Sequence, residues 1–393
     1  MRLILSAGGT AGHVLPALTT LAALRRIAMS PSSSDGTSEP GAKTLDGAPP
    51  PARIEVLFVG GQEGMEAGLV RRAEVAFAGI PAGAVHGVGA GRMARGAWRT
   101  LQGIVAAWRL IGRFRPDAAL LTGGFVGVPV SIAAWLRRVP AVVFLPDIEP
   151  GLALKVMARL AWRVAATTPD SAAWVSKSKL VPTGYPLREQ FLAATRARGR
   201  AALGIPEEAR VLLIYGGSKG ARSINRAALD ALPRLLSRAI VVHVSGEGDW
   251  AEVEAARNRL AAPERARYRA YAYLHEEMVD AMAAADLVVC RSGASSLGEL
   301  PALGLPAILS PYPHAWRYQR VNADFLAARG AAEVLEDGAL GDPERGLAAR
   351  AIQLLDDAPA LEAMRLASRR LARLDGADNI AVLLAKAAER THD

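Results

Sequence analysis

A carboxylate one turn into a helix that opens on small residues suits the binding of a nucleotide, and residues 286–322, DLVVCRSGASSLGELPALGLPAILSPYPHAWRYQRVN, carry that combination. Residues 286–290 read as a short buried strand, 291–296 as a small-residue turn, and the helix that follows carries Glu299. Backbone N–H groups at Ala294, Ser295, Ser296 and Leu297 would open this helix, and such a start attracts phosphate. The Glu299 carboxylate can accept two hydrogen bonds from a vicinal diol, as acidic residues do from ribose hydroxyls. A second strand, 306–310, empties into a loop with Tyr312, His314, Tyr318 and Gln319. Ligands of open parallel sheets bind beyond the carboxyl ends of the strands, so phosphate plus ribose points to a nucleotide. The competing reading is a capped helix start at 292–296 with Glu299 complementing the helix dipole at the surface.

Positioning such a site requires strands that end together, and the chain supplies them twice. Near the start, the apolar run 3–7 leads into GGTAGHVLP (8–16) and a helical stretch, 17–28. Strand, glycine loop and helix in that order let backbone N–H groups approach a phosphate or sugar without Cβ interference. The spacing is not G-x-G-x-x-G, so the dinucleotide fingerprint is not met. The run 211–215 then leads into GGSKGARSINRAALDAL, which sets Gly216 against Gly8, Ser218 against Thr10 and Gly220 against Gly12. Further strands are expected at 53–61, 117–122, 139–147 and 164–168, and again at 240–245, 268–273, 287–290 and 307–310. The strand 117–122 ends in another glycine loop, Gly123, Gly124, Phe125, Val126, Gly127. The expected class is α/β, with two Rossmann-like domains whose parallel sheets face each other across a cleft. Their expected extents are 1–184 and 185–365, with a helical tail, 366–393, packing back on the first domain. A duplicated metabolite-binding module would give the same pattern. Residues 30–51, SPSSSDGTSEPGAKTLDGAPPP, are low in complexity and read as a disordered insertion.

Composition narrows the classes. In 393 residues, 51% are apolar and 5% aromatic, and the single cysteine, Cys290, lies in an apolar strand, which makes it a structural thiol with no internal disulfide. The six histidines, His13, His86, His243, His275, His314 and His392, show no metal-ligand spacing, so no metal site is expected. No charge-free apolar stretch is long enough to span a bilayer, and the start lacks a signal-peptide pattern, which predicts a cytoplasmic protein. The net charge of +9 implies attraction to a polyanion. Aromatics are not interleaved with the basic residues, which disfavours nucleic acid and leaves an anionic membrane surface. Residues 87–116 hold six arginines, Arg92, Arg95, Arg99, Arg109, Arg113 and Arg115, and no acid. At helical pitch Trp98, Leu101, Ile104, Val105, Trp108 and Ile111 share one face, and Arg99, Gln102, Arg109 and Arg113 the other. The expected arrangement is an apolar face packed on the core and a solvated basic face, each arginine near an anionic leaflet contributing about 1 kcal/mol.

With these pieces together the chain resembles the MurG family over nearly its whole length outside the insertion. The motifs are GGTAGHVLPA, GMEAGLV, GGFVGVP, GGSKGAR, and CRSGASSLGEL with GLPAILSPYPH followed by Gln319 and Asn322. The resemblance implies a GT-B fold and an inverting glycosyltransferase that needs no metal or other cofactor. Its substrates would be UDP-GlcNAc and undecaprenyl-pyrophosphoryl-MurNAc-pentapeptide, with GlcNAc passing to the C4 hydroxyl of MurNAc at the cytoplasmic face of the cell membrane. By motif, Ala294, Ser295, Ser296, Leu297, Gly298 and Glu299 would hold UDP, and Arg188 and Ser218 would lie near the nucleotide and diphosphate. Thr10, Ala11 and Gly12 would wall the donor site from the first domain, Gln319 would touch the sugar, and His275 matches a position whose backbone meets uracil. His13 matches the loop histidine near the reaction centre. Two roles stand open for it, general base or an imidazole that caps the glycine loop.

Departures from the family pattern are localised. Phe144, Leu145, Pro146 and Asp147 replace His-Glu-Gln-Asn, placing Asp147 where the family has a sugar-contacting Asn. An ionised Asp accepts from a sugar hydroxyl but does not donate. Ala11 stands where glycine is preferred, Tyr318 replaces one of a Gln pair, and Lys219 and Tyr185 differ as well. Three other functions stay open: a sister glycolipid transferase using a UDP-hexose, a UDP-GlcNAc 2-epimerase, and an inactive nucleotide-sugar-binding protein.

Overall fold

Short runs of Val, Leu, Ile and Ala that do not alternate with polar residues belong in sheets covered on both faces, and this chain builds two of them. The structure, a computed structural model, describes residues 1–9, 11–29, 54–62, 66–83, 90–217, 220–314 and 317–391. The insertion at 30–51, Thr10 and Ser218 lie outside the described residues, as does the side chain of Ala11. The chain divides into two compact units, one formed by Met1–Leu187 with Leu374–Asp393, the other by Arg188–Arg373.

The first unit holds β1 (Arg2–Ser6), β2 (Glu55–Gly61), β3 (Ala76–Ile80), β4 (Ala118–Leu121), β5 (Ala141–Leu145), β6 (Arg163–Ala166) and β7 (Leu180–Pro182). They pair in the order β3-β2-β1-β4-β5-β6-β7, all parallel. β4 and β5 are buried at every residue, which their uninterrupted apolar sequence requires. The last helix, Gly376–Glu389, packs against the Ala11–Met29 helix and against β4 and β5. Arg26 pairs with Asp378 at 2.5 Å, and Asn379 Nδ2 donates to the Thr183 carbonyl at 2.9 Å.

The second unit holds β8 (Val211–Tyr215), β9 (Ile240–Val244), β10 (Tyr268–Tyr271), β11 (Leu287–Cys290), β12 (Ala307–Leu309) and β13 (Ala332–Val334), in the parallel order β10-β9-β8-β11-β12-β13. Buried Asp286 ties its elements together at the amino ends of the strands. It accepts from Val211 N–H at 2.8 Å and from Arg200 Nη2 at 3.0 Å, and it pairs with Arg196 at 2.5 Å. A buried carboxylate is tolerated only when paired and hydrogen-bonded in this way.

Both sheets run 3-2-1-4-5-6 in their own strand numbering, the first adding β7 at the edge. Chain direction across the sheet reverses between β1 and β4, and between β8 and β11, and such reversal points are where doubly wound sheets take ligands. The unit borders fall later than 184 and 365. Tyr185 and Leu187 are buried in the first unit, and position 365 lies inside the Ala358–Arg370 helix, whose Leu361 and Met364 belong to the second unit's core.

One expectation is overturned. The Ala90–Phe114 helix does not bury its Trp/Leu face: Trp98, Leu101, Val105 and Trp108 are exposed, with Trp98 at 62%. Of the expected face only Ile111 is buried, beside Gly96, Gly103 and Ala107, and the helix packs on Gly127–Leu136. Close approach decides the rotation. A Cβ at Gly103 would collide with the Pro81 carbonyl and meet Pro129 at 3.3 Å, so the small-residue stripe is the only one that fits there. Bulky Trp98 and Trp108 are turned outward, the latter under the Arg137 guanidinium at 3.8 Å.

Candidate active site

In the second unit the reversal point is formed by two loops, Gly216 and Gly217 after β8 and residues 291–295 after β11. The Ser296–Leu303 helix starts from the latter and carries Glu299 in its first turn. Ser296 N–H and Leu297 N–H are not open to a ligand as expected. They turn back to the carbonyls of Gly293 and Ala294 at 3.0 and 3.2 Å, because the first turn is wound tightly. Among the described residues the amides of Ala294 and Ser295 have no protein partner, so of the four expected amides the first two remain for an anion. Leu297 is 5% exposed and packs as core, and Gly298 is buried.

Glu299 is half-buried, and burial pushes its carboxyl up to about 7, against the opposing pull of the Arg188 cation and a hydrogen bond from the Ser295 hydroxyl. Arg188, at the start of the Glu189–Leu192 helix, stacks over Phe191 at 5.3 Å, and its charge acts on that carboxylate. Behind Glu299, the Tyr215 hydroxyl and the Cys290 thiol share a hydrogen bond, and burial raises the Tyr215 pKa and carries the thiol to about 12.

Gln319 is fixed by two bonds. Its Oε1 accepts from Tyr312 N–H at 2.9 Å, and its carbonyl accepts from the Ser292 hydroxyl at 2.7 Å. Asn322 Nδ2 donates to the Ser292 carbonyl at 3.1 Å, so the loops after β11 and β12 are held as one piece. Arg291 reinforces that piece, donating to Ser310 O at 3.1 Å and Ser223 Oγ at 2.8 Å and pairing with Asp337 at 2.6 Å. Nothing in the sequence marked Arg291 for this role except its place at a strand end. His275 is exposed beyond β10, two strands from β8, with its ring 4.7 Å from Tyr273 and its N–H donated to Glu277. Its imidazole is not brought to Glu299 by any described contact.

In the first unit His13 sits at the start of the Ala11–Met29 helix, beyond β1, while Gly12 is exposed. Its Nδ1 donates to Gly8 O at 3.1 Å, its carbonyl accepts from Thr122 Oγ1 at 2.6 Å, and burial lowers its pKa below 6.5. The imidazole is therefore neutral at neutral pH, with the lone pair on Nε2. Gly123, after β4, lies against the ring: its φ is +130°, and a Cβ there would stand 2.5 Å from His13 Cδ2. The sequence reading placed Gly123 in a glycine loop at the end of the 117–122 strand, but gave neither it nor Thr122 a place against His13.

Asp147 lies half-buried beyond β5. The Phe144 and Tyr185 departures turn out to be one feature: both are buried, with rings edge to face at 6.0 Å. Phe144 and Leu145 are core, while the Pro146 carbonyl is held by Thr167 Oγ1 at 2.9 Å.

Two family models match the chain, the glycosyltransferase family 28 N-terminal domain over residues 51–166 and its C-terminal domain over residues 211–380. A protein of Roseiflexus sp. (strain RS-1) named UDP-N-acetylglucosamine–N-acetylmuramyl-(pentapeptide) pyrophosphoryl-undecaprenol N-acetylglucosamine transferase is 41% identical, the alignment covering 98% of this chain and 94% of that one. The chain belongs to the MurG family. A Desulforudis audaxviator family member of the same name is 35% identical across 99% of both chains. Among solved structures, MurG from Acinetobacter baumannii superposes with a TM-score of 0.71 at 23% identity, covering 98% of this chain and 99% of that one. UDP-GlcNAc 2-epimerase from Neisseria meningitidis gives 0.65 at 13% identity, covering 98% and 100%. These likenesses establish the GT-B fold, which transferase and epimerase share.

Proposed function

We propose that this chain transfers GlcNAc from UDP-GlcNAc to the C4 hydroxyl of MurNAc in undecaprenyl-pyrophosphoryl-MurNAc-pentapeptide, with inversion and without a metal. The observation that carries the reading, in a chain of this family, is Glu299 beside the Ala294 and Ser295 amides at the reversal point of the second sheet. Ribose hydroxyls donate to the Glu299 carboxylate, and the amides face the diphosphate. Arg188 and the glycine-loop amides balance the charge of the departing UDP. By family motif Ser218 and Gln319 belong to the donor site, as do Thr10, Ala11 and Gly12, and His275 contributes backbone only.

His13 is the general base in this scheme. Its Nδ1–H is held by Gly8, so Nε2 takes the proton from the acceptor hydroxyl as that oxygen attacks the anomeric carbon. Asp147 accepts from a sugar hydroxyl.

The enzyme works as a peripheral protein at the cytoplasmic face of the membrane. No described helix is long and apolar enough to cross a bilayer. Support for surface binding comes from exposed Trp98, Leu101, Val105, Trp108, Trp135 and Leu136 among exposed Arg95, Arg99, Arg109, Arg113 and Arg138. Apolar side chains entering the headgroup boundary beside basic ones give reversible attachment.

The test is transfer from labelled UDP-GlcNAc, UDP-glucose and UDP-galactose to a short-chain polyprenyl-pyrophosphoryl-MurNAc-pentapeptide and, in parallel, to diacylglycerol. Product from UDP-GlcNAc on the MurNAc lipid alone is expected. Product only from a hexose donor or on diacylglycerol moves the chain to a sister glycolipid transferase, the reading that Asp147 and Tyr318 favour.

A further inference from the structure

β9 reads Ile-Val-Val-His-Val, and its histidine is fully buried. An aliphatic residue would fill that place without the desolvation cost of an imidazole. The imidazole is instead fully bonded. His243 Nδ1 lies 2.7 Å from the Tyr268 hydroxyl and Nε2 lies 3.0 Å from Asn225 Oδ1. Asn225, itself 2% exposed, donates through Nδ2 to the Ser245 carbonyl at 2.9 Å and to Asp249 Oδ2 at 2.8 Å.

The acceptors at the far end fix every proton. Because Asn225 Nδ2 donates twice, Oδ1 is the end that accepts, and Nε2 must carry the hydrogen. Nδ1 is then the acceptor, and Tyr268 O–H the donor. Burial holds His243 neutral by pushing its pKa down to about 4, so this direction persists across the physiological range.

The chain ends on the glycine loop after β8. Gly220, at φ +74°, packs its Cα directly on the Ser245 carbonyl oxygen that Asn225 holds, leaving no room for a Cβ, and Gly220 N–H closes on Gly217 O at 2.9 Å. Asp249, the second acceptor, lies 3.9 Å from Arg222, the first residue of the Arg222–Asp230 helix that follows the loop. Both Gly220 and the helix start are thus referenced to one buried hydrogen-bond chain.

We propose that Tyr268, His243 and Asn225 form a directional hydrogen-bond chain that sets the position of Gly220 and of the start of the Arg222–Asp230 helix, making Asn225 and His243 positioning residues for the diphosphate of the nucleotide sugar. The inference rests on the donor-site reading of the second unit. It separates two functions within that site: Glu299 serves the nucleoside, while the buried chain serves the phosphates through the loop and touches no ligand.

The full-length protein and three variants, Asn225→Asp, Tyr268→Phe and Glu299→Ala, are titrated with UDP by calorimetry and with uridine by NMR. Asn225→Asp keeps the shape but turns the Nδ2 donor into an acceptor facing Ser245 O and Asp249. It is expected to weaken UDP by about tenfold or more while leaving uridine unchanged. Tyr268→Phe removes one hydroxyl and is expected to give the same split at about two- to tenfold. In the transfer assay the KM for UDP-GlcNAc should rise and that for the lipid acceptor should not. Equal losses for UDP and uridine, or no loss for either, overturn the proposal, and Tyr268→Phe alone decides it if Asn225→Asp does not fold. Glu299→Ala should weaken both ligands. A wild-type protein that binds no UDP overturns the donor reading on which the inference stands.

Discussion

If Glu299 holds the donor ribose as proposed, donor binding is coupled to its proton in a way that can be measured. Its carboxyl titrates near 7 in the ligand-free protein because burial disfavours the charge, whereas ribose hydroxyls bind the ionised form. If only that form binds, the apparent dissociation constant scales as one plus the protonated-to-ionised ratio, so affinity for UDP-GlcNAc should rise about tenfold from pH 6 to pH 8. UDP-GlcNAc is the ligand to use, since its diphosphate is esterified at both ends and does not titrate in this window, unlike a terminal phosphate with a pKa of about 6. The same group affects folding with a definite sign. A carboxyl that holds its proton more tightly when folded favours the folded state below 4.5, and this contribution is lost as pH rises from 4.5 to about 7. At about 1.4 kcal/mol per pKa unit the loss is capped at about 3.5 kcal/mol, and solvent screening of a half-buried group reduces it. Glu299→Gln should therefore raise the unfolding midpoint of the ligand-free protein at pH 8, weaken UDP-GlcNAc, and flatten its pH profile. Calorimetric titrations at pH 6, 7 and 8 decide the matter. A flat wild-type profile, or an unchanged slope in Glu299→Gln, would falsify the assignment of the proton to this carboxyl.

Further outcomes follow from the first unit. Replacing His13 with Asn should lower kcat by about 10²- to 10⁴-fold with UDP affinity intact, and wild-type kcat should fall with acidity only below the ordinary histidine pKa of 6.5. Gly123→Ala combines a left-handed φ with a Cβ 2.5 Å from the His13 ring; kcat should drop by about 10²-fold while the donor KM holds, as steady-state kinetics will show. Changing Trp98 and Trp108 to Ser, or Arg95, Arg109 and Arg113 to Gln, should raise the acidic-lipid content needed for vesicle binding, and unchanged sedimentation with vesicles would remove that face from the membrane. Phe144→Ala should cost about 3–5 kcal/mol in denaturant unfolding, because the ring is fully buried against Tyr185.

The parallel sheets and the loops at their ends were legible because glycine-rich turns between apolar runs leave few alternatives, and Gly8 with Gly216 announced the duplication. Distances between remote residues were not legible. The Ala90–Phe114 helix has its largest apolar residues on one face, yet Gly96 and Gly103 set its rotation through close backbone contact with Gly83 and Pro81. Hydrophobicity ranks side chains and cannot rank the depth of the groove they must enter. Likewise the start of the Ser296–Leu303 helix read as a row of open amides, but the tight first turn consumed two of them. Phe144 and Tyr185 looked like separate departures because sequence does not show that β5 and the end of the first unit meet. The tether of Asp286 to Arg200 and Val211 belongs to the same class: each partner is ordinary alone and informative only in register.

The solitary thiol has a practical sequel. Cys290 is wholly enclosed, and its pKa of about 12 keeps it from forming the thiolate that maleimides and spin-label reagents require. The natural chain is therefore already a blank background for site-specific labelling. One cysteine introduced on the surface of each compact unit would carry a reporter pair without first deleting anything, and the separation of the units could be followed directly as donor and acceptor are added.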